Sequence, residues 1–163
     1  MANQYCTIVD SPIGELSIFA DDDFVNKITF KKTDTSHLTE NKISKLAASQ
    51  LSDYFEGKLQ SFDLPMSQSG TDFQQNVWKE LTTIKYGTTI SYLQFSTQLN
   101  NPLAIRAIAA ANGKNELAIV IPCHRVIGSN GKLVGYAGEL WRKQWLLDHE
   151  REISKQGQMT LRF

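Results

Sequence analysis

The sequence predicts a small α/β N-terminal domain, an antiparallel sheet plus a helix, followed by a mostly α, winged helix-turn-helix-like C-terminal domain. Three observations predict it. Short apolar or alternating runs separated by turn residues occupy the first thirty positions, a stretch with helical period follows them, and beyond residue 70 the apolar spacing stays helical until a β-branched run near residue 120. At 163 residues with 41% hydrophobic composition, the chain can bury a core and hold two small domains.

The first half reads as a meander: Tyr5 to Val9, Glu15 to Ala20 and Phe24 to Phe30 are strand candidates, with turns at Asp10-Ser11-Pro12 and Asp21-Asp22-Asp23. The acidic triplet reads as a solvated hairpin turn. From Leu38 to Phe55 the residues Ile43, Leu46, Ala47, Leu51, Tyr54 and Phe55 recur at helical spacing, and Gly57 can end that helix. Ser61 to Ser69, with Pro65 among small polar residues, reads as a linker, which places the expected domains at 1–69 and 70–163.

In the second half, Thr71 or Asp72 can cap a helix carrying Phe73, Val77, Trp78, Leu81 and Ile84 and stopping near Gly87. Ser91 can cap a second, short helix (Tyr92, Phe95, Leu99), and after Asn100-Asn101-Pro102 a third runs from Leu103 to about Ala111. Two short helices joined by a tight polar turn form a helix-turn-helix, and the β-rich stretch beyond them predicts the wing. In the third helix Ala104, Ala107, Ala109, Ala110 and Ala111 leave little bulk beyond Arg106 and the isoleucines. Such a face fits a narrow groove, the minor rather than the major groove of a duplex, or else tight packing of helix on helix.

Charge and cysteine usage narrow the function classes. Lys and Arg balance Asp and Glu at 17 each, but residues 1–69 carry 6 basic against 10 acidic side chains and residues 70–163 carry 11 against 7. The second half is therefore the one suited to meet phosphates. Cys6 and Cys123 lie far apart, and neither a secretory leader nor a long apolar span is evident, so free thiols, a cytoplasmic setting and no membrane partner are expected. In the first half only Cys6 and His37 could ligate zinc, too few for a four-coordinate structural site, so no metal and no cofactor are expected.

The chemistry concentrates in Ile121-Pro122-Cys123-His124-Arg125-Val126-Ile127. A free thiol is mostly protonated at neutral pH, and His124 is the local group able to favour its thiolate or take its proton. Pro122 fixes the backbone before the cysteine, and Ile119-Val120-Ile121 is expected to be a short buried strand delivering it to an internal site.

From Thr89 to Glu150 the chain resembles the DNA-binding, active-site domain of the O6-alkylguanine-DNA alkyltransferases. Pro122-Cys123-His124-Arg125-Val126 is that family's signature, joined by Ile90-Ser91-Tyr92, Asn101-Pro102, Arg106-Ala107, Asn115, Gly135-Tyr136-Ala137-Gly138 and Trp145-Leu146-Leu147 through His149-Glu150. Asp10-Ser11-Pro12-Ile13-Gly14 and Phe73 with Val77-Trp78 extend the resemblance over nearly the whole chain.

The resemblance implies irreversible, single-turnover transfer of an alkyl group from O6 of guanine, and from O4 of thymine, in double-stranded DNA onto Cys123. It implies a relay in which Glu150 polarises His124, which deprotonates Cys123 through a water. It further implies that Asn115 ties the recognition helix to the active-site loop, and that Arg106, beside Ala107, fills the stack vacated by a flipped nucleotide. Tyr92 presses on the target phosphate and later donates a proton toward the guanine. Tyr136 stacks on the base in a loop with Ala137 and Gly138, the carbonyls of Cys123 and Val126 hold its amino group, and Arg125 is structural. The free protein is expected to be a monomer with access to chromosomal DNA.

The chain departs from the family at Glu116, where proline is usual, at Ala137, where some relatives carry serine, and at Leu93, where some carry a polar residue. These positions bear on substrate range and affinity. Two rival readings are a non-enzymatic lesion binder of alkyltransferase-like type, which lacks the acceptor cysteine that is present here, and a cysteine hydrolase, for which adjacent Cys and His are poorly placed.

Overall fold

A computed structural model describes residues 3–133, 136 and 139–161. The chain packs as two compact units, one running to Ser69 and taking in Glu116–Val120, the other made of Gly70–Asn115 and the chain from Ile121 onward. The sequence-based division at residue 70 has no counterpart for the return of 116–120 to the first unit.

In the first unit, β1 (Tyr5–Ser11), β2 (Gly14–Ala20) and β3 (Val25–Thr29) form an antiparallel sheet in the order β1-β2-β3. Ser11 pairs with Gly14 across the first turn, where Gly14 has φ 119°, a conformation open to glycine at little cost. The acidic triplet does more than sit in solvent: the Asp21 carboxylate accepts from the amides of Asp23 and Phe24 at 2.8 and 2.7 Å and so builds the second turn.

Helix α1 (Lys42–Phe55) covers the sheet. It starts at Lys42 rather than Leu38 because Asn41 and Ser44 form a reciprocal capping box there. Ala47, Leu51 and Tyr54 are buried with Leu16, Ile18 and Ile28, whereas Leu46, at the same helical spacing, is 43% exposed. The Ser61–Ser69 stretch is not a free linker throughout. Met66 bridges to Val25 in parallel, and Leu117 bridges to Ile28, so two returning segments occupy the edge of β3.

In the second unit, α2 (Asp72–Leu81) is capped by Thr71, and Trp78 donates an Nε1–H bond of 2.8 Å to the Ala111 carbonyl. The helix ends at Leu81, before Ile84, where Thr82 and Thr83 hydroxyls take up the carbonyls of Lys79 and Glu80. Phe73 stays 37% exposed. After β4 (Ile90–Ser91), helices α3 (Tyr92–Gln98) and α4 (Ile105–Gly113) flank a turn with Asn100 at φ 56°, giving the helix-turn-helix. Helix α4 begins two residues later than expected, with Leu103 97% exposed in the turn. The wing is reduced among the described residues to β5 (Val126–Ile127), paired in parallel with β4. Helix α5 (Leu140–Leu161) closes the unit. No described helix is long and apolar enough to cross a membrane.

The expected strand at Ile119-Val120-Ile121 is instead a sequence of turns. Ile119 adopts φ 71°, an outlier for a β-branched residue, and short backbone bonds of 2.8 Å link Val120 to Ala118 and Cys123 to Ile121. All three isoleucine and valine side chains are buried, so burial rather than sheet pairing accounts for the apolar run.

Candidate active site

Immediately after Pro122, one turn of 3-10 helix, Cys123–Arg125, places three buried side chains in sequence, with Cys123 8%, His124 0% and Arg125 6% exposed. Three residues per turn send successive side chains in different directions, so one short turn supplies a thiol, an imidazole and a guanidinium. The partner of the last two is Glu150 on α5, itself fully buried.

Glu150 holds this cluster together. Its Oε2 lies 2.7 Å from His124 Nε2, and Arg125 donates to both carboxylate oxygens, from Nε at 2.8 Å and from a terminal nitrogen at 3.1 Å. The Gly87 amide adds a bond of 3.2 Å to Oε1. Gly87 has φ 78°, and a β-carbon there would collide with Ser154, so this position demands glycine. Arg125 also donates to the Ile84 carbonyl at 2.6 Å and lies 5.6 Å from the Tyr86 ring centre. Arg125, expected to be structural, is thus bonded directly to the carboxylate that orients His124.

These contacts fix the protonation pattern. Burial alone would raise the Glu150 pKa, but the bonds from His124 and Arg125 and the adjacent positive charge outweigh it and hold the carboxyl far below the usual range. An ionised carboxylate only accepts, so His124 carries its proton on Nε2. Burial lowers the His124 pKa against the pull of Glu150, with Arg125 and Lys143 acting in the same direction as burial. The resting imidazole is neutral, and its fully buried Nδ1 has no hydrogen-bond partner among the described residues. That nitrogen is a vacant proton acceptor.

Burial raises the Cys123 pKa, while a hydrogen bond from Asn115 and the charge of Lys143 favour the thiolate. The resting sulfur is therefore a thiol whose ionisation is assisted from two sides. Asn115 also donates to the Ile121 carbonyl at 3.0 Å, which ties the segment just after α4 to the turn that leads into Cys123. Tyr92, 9% exposed at the start of α3, receives a bond from Asn112. Tyr136 is part-exposed with its hydroxyl buried, and burial pushes its pKa well up. Arg106 and Ala107 lie on the exposed face of α4, and Val126 is buried in β5. Gly135, Ala137 and Gly138 fall outside the described residues.

Two site residues escape sequence reasoning. Lys143 is fully buried and donates to the Val126 carbonyl at 2.7 Å. In the sequence it looks like part of a basic surface stripe, but it stands three, four and seven positions before Leu146, Leu147 and Glu150, the spacing of one buried helix face. Asn112 reads as a turn residue and proves to be buried beside Tyr92. A cleft of about 670 Å³ between the α2–β4 connection and α3, lined by Thr83, Lys85, Gln94 and Gln98 among others, contains none of the chemical groups above.

Comparison with known proteins gives this geometry a family. Residues 72–152 match the model described as the DNA binding domain of 6-O-methylguanine DNA methyltransferase, and residues 4–68 match its ribonuclease-like domain. The methylated-DNA–protein-cysteine methyltransferase of Methanosarcina barkeri is 43% identical over 152 residues, covering 90% of this chain and 96% of that one. The constitutive enzyme of that name from Bacillus subtilis is 41% identical, over 90% and 95% of the two chains. The crystal structure of Mycobacterium tuberculosis O6-methylguanine methyltransferase superposes with a TM-score of 0.82 at 42% identity, covering 91% of this chain and 93% of the other. A structure of the Mycobacterium tuberculosis protein in complex with DNA gives 0.83 at the same identity, over 91% and 94%. The chain belongs to the O6-alkylguanine-DNA alkyltransferase family.

Proposed function

We propose that this protein repairs alkylated DNA by moving an alkyl group, methyl above all, from O6 of guanine onto Sγ of Cys123, with O4-alkylthymine a second alkyl donor for the same attack. The observation that carries this reading is the nucleophile turn, in which Cys123 adjoins a neutral His124 whose Nδ1 is vacant and whose other nitrogen is held by Glu150. The Cys123 proton passes to Nδ1 through a water. Sγ then attacks the alkyl carbon in line, the S–C bond forms as the C–O6 bond breaks, and the electron pair leaves with the guanine, which takes up a proton. Asn115 and Lys143 support the thiolate during this step.

A base inside a duplex presents no path to a buried sulfur, so the nucleotide must rotate out at a cost of a few kcal/mol. Arg106, the long side chain on the small-residue face of α4, fills the gap. Tyr92 meets the target phosphate and serves as the later proton donor, while Tyr136, with Ala137 and Gly138, walls the base, and the carbonyls of Cys123 and Val126 receive its amino group. No group named here can break a thioether, so each molecule acts once. The protein works as a monomer on double-stranded DNA in the cytoplasm, where chromosomal DNA is accessible.

The test pairs two variants. Cys123→Ala should abolish removal of O6-methyl groups and keep duplex binding. Arg106→Ala should slow repair of duplex DNA more than reaction with a free alkylated base, which needs no flipping. Unaltered repair by Cys123→Ala would reject the reaction, and an equal loss on both substrates in Arg106→Ala would reject the stack-filling role.

A further inference from the structure

The chain between α4 and the nucleophile is pinned by residues of the first unit, to which Glu116–Val120 belongs. The Glu116 carbonyl accepts from the Ile28 amide at 2.8 Å, and the Ala118 amide donates to the Ile28 carbonyl at 3.3 Å. The Glu116 amide donates at 2.8 Å to Oε1 of Gln68, a side chain only 9% exposed. From there the chain turns sharply twice. The Val120 amide bonds the Ala118 carbonyl at 2.8 Å around Ile119 at φ 71°, a γ-turn of the rare and strained hand. The Cys123 amide bonds the Ile121 carbonyl at 2.8 Å around Pro122 at φ −81° and ψ 62°, the common inverse hand.

A β-branched residue stays in the left-handed region only where its surroundings over-determine it. Burial of Ile119, 1% exposed, supplies part of that constraint, and the bonds that fix Glu116 and Ala118 supply the rest. The two residues flanking the segment are joined to each other, Asn115 Nδ2 donating to the Ile121 carbonyl at 3.0 Å. Where Glu116 is pinned therefore decides both how the Asn115 carboxamide is aimed and how the chain enters Cys123. We propose that Gln68 is a positioning residue for alkyl transfer: by accepting the Glu116 N–H it anchors the strained segment Glu116–Val120, and through that segment it sets the Asn115 side chain and the approach to Cys123. The proposal rests on the alkyl-transfer reading for the reaction it serves. Gln68 touches none of the reacting atoms, and the sequence shows it as one more polar residue in a linker-like stretch.

The test compares Gln68→Met, which keeps the length of the side chain and removes the acceptor, with Gln68→Glu, which keeps an oxygen for the amide. Gln68→Met should expose the Glu116 amide to hydrogen exchange. It should slow methyl transfer from an O6-methylguanine duplex at saturating DNA by roughly two- to tenfold, the range of one net hydrogen bond, with the DNA concentration at half-maximal rate unchanged. The Asn115 bond favours the Cys123 thiolate, so loosening it raises the thiol pKa. The pH profile of Cys123 alkylation by iodoacetamide, read by peptide mapping, should accordingly move to higher pH. Gln68→Glu should recover most of both losses. Leu51→Val is the control, since it trims a buried side chain of α1 and leaves every hydrogen bond of the segment in place. It should lower stability without moving the profile. A folded Gln68→Met protein with the natural rate and profile overturns the proposal, and so does a Leu51→Val protein whose profile moves as far. An unprotected Glu116 amide in the natural protein overturns it as well and requires no variant to fold. A shifted iodoacetamide profile without transfer from alkylated DNA keeps the positioning of Cys123 and rejects the repair reading, whereas undiminished transfer by Gln68→Met does the reverse.

Discussion

Replacing Glu150 with Gln should do two things at once, because the carboxylate serves both the His124 imidazole and the Arg125 guanidinium. It accepts from His124 at 2.7 Å, from Arg125 at 2.8 and 3.1 Å and from the Gly87 amide at 3.2 Å, in a fully buried position. A glutamine there keeps one acceptor oxygen but turns an NH2 group toward donors and leaves the Arg125 guanidinium without its counter-charge. Breaking a buried ion pair from one side costs about 3–5 kcal/mol. The loss of histidine polarisation should slow transfer, within the roughly 10²–10⁴ range that a positioned proton acceptor contributes. The Arg125 bonds make Glu150→Gln act on the fold as well as on the relay. The assay is denaturant unfolding of the single variants and of Arg125→Met with Glu150→Gln, alongside single-turnover repair rates. The double variant should recover at least about 1 kcal/mol relative to the sum of the singles, since no charge is then stranded. A loss below about 1 kcal/mol in Glu150→Gln, with additive effects in the double variant, would refute this reasoning.

Acid should weaken the fold by titration of the same cluster. His124 has a folded pKa below its unfolded value near 6.5, so the unfolded state binds the extra proton first and stability falls as pH drops below about 6.5. One such group contributes at most about 2 kcal/mol between pH 7 and 5, measurable as a shift in the urea midpoint that a neutral replacement of His124 removes. Glu150 adds to the loss at lower pH: its folded pKa is depressed, so its stabilisation is present above about pH 4.3 and is lost on descending toward the folded value. Lys143→Met should shift the pH dependence of Cys123 alkylation by iodoacetamide upward, because a charge favouring the thiolate is gone, while Lys143→Arg should keep it. An unmoved profile in Lys143→Met would show that the lysine acts only through the Val126 carbonyl it bonds.

Much of this architecture was legible because it is local. Thr71 and Ser91 each start a helix by bonding back to a backbone amide, and that chemistry is written in adjacent letters, whereas the Asn41 cap, which moves the start of α1 from Leu38 to Lys42, was not read. The relay was legible only through the resemblance, since nothing in the spacing of His124 and Glu150 tells that one turn and one helix bring them to 2.7 Å. What sequence reasoning misread depends on distant partners. Ile119 to Ile121 have the composition of a strand, but they pair with no strand among the described residues and are buried in turns instead. Residues 116–120 return to the edge of β3, where Leu117 bridges to Ile28, and no local signal marks a partner that far back in the chain. Lys143 and Asn112 look like surface residues because a charged or amide side chain is rarely buried, and the carbonyls and hydroxyl they bond help make burial tolerable.

The central claim is that Cys123 is the terminal acceptor of an alkyl group taken from DNA. Intact-protein mass spectrometry after incubation with excess O6-methylguanine duplex, followed by peptide mapping, tests it most directly. The account predicts one added methyl group per molecule, located on Cys123, with repair ceasing at one equivalent. Sustained turnover beyond one equivalent, or a methyl group found on Cys6 or nowhere on the protein, would contradict it.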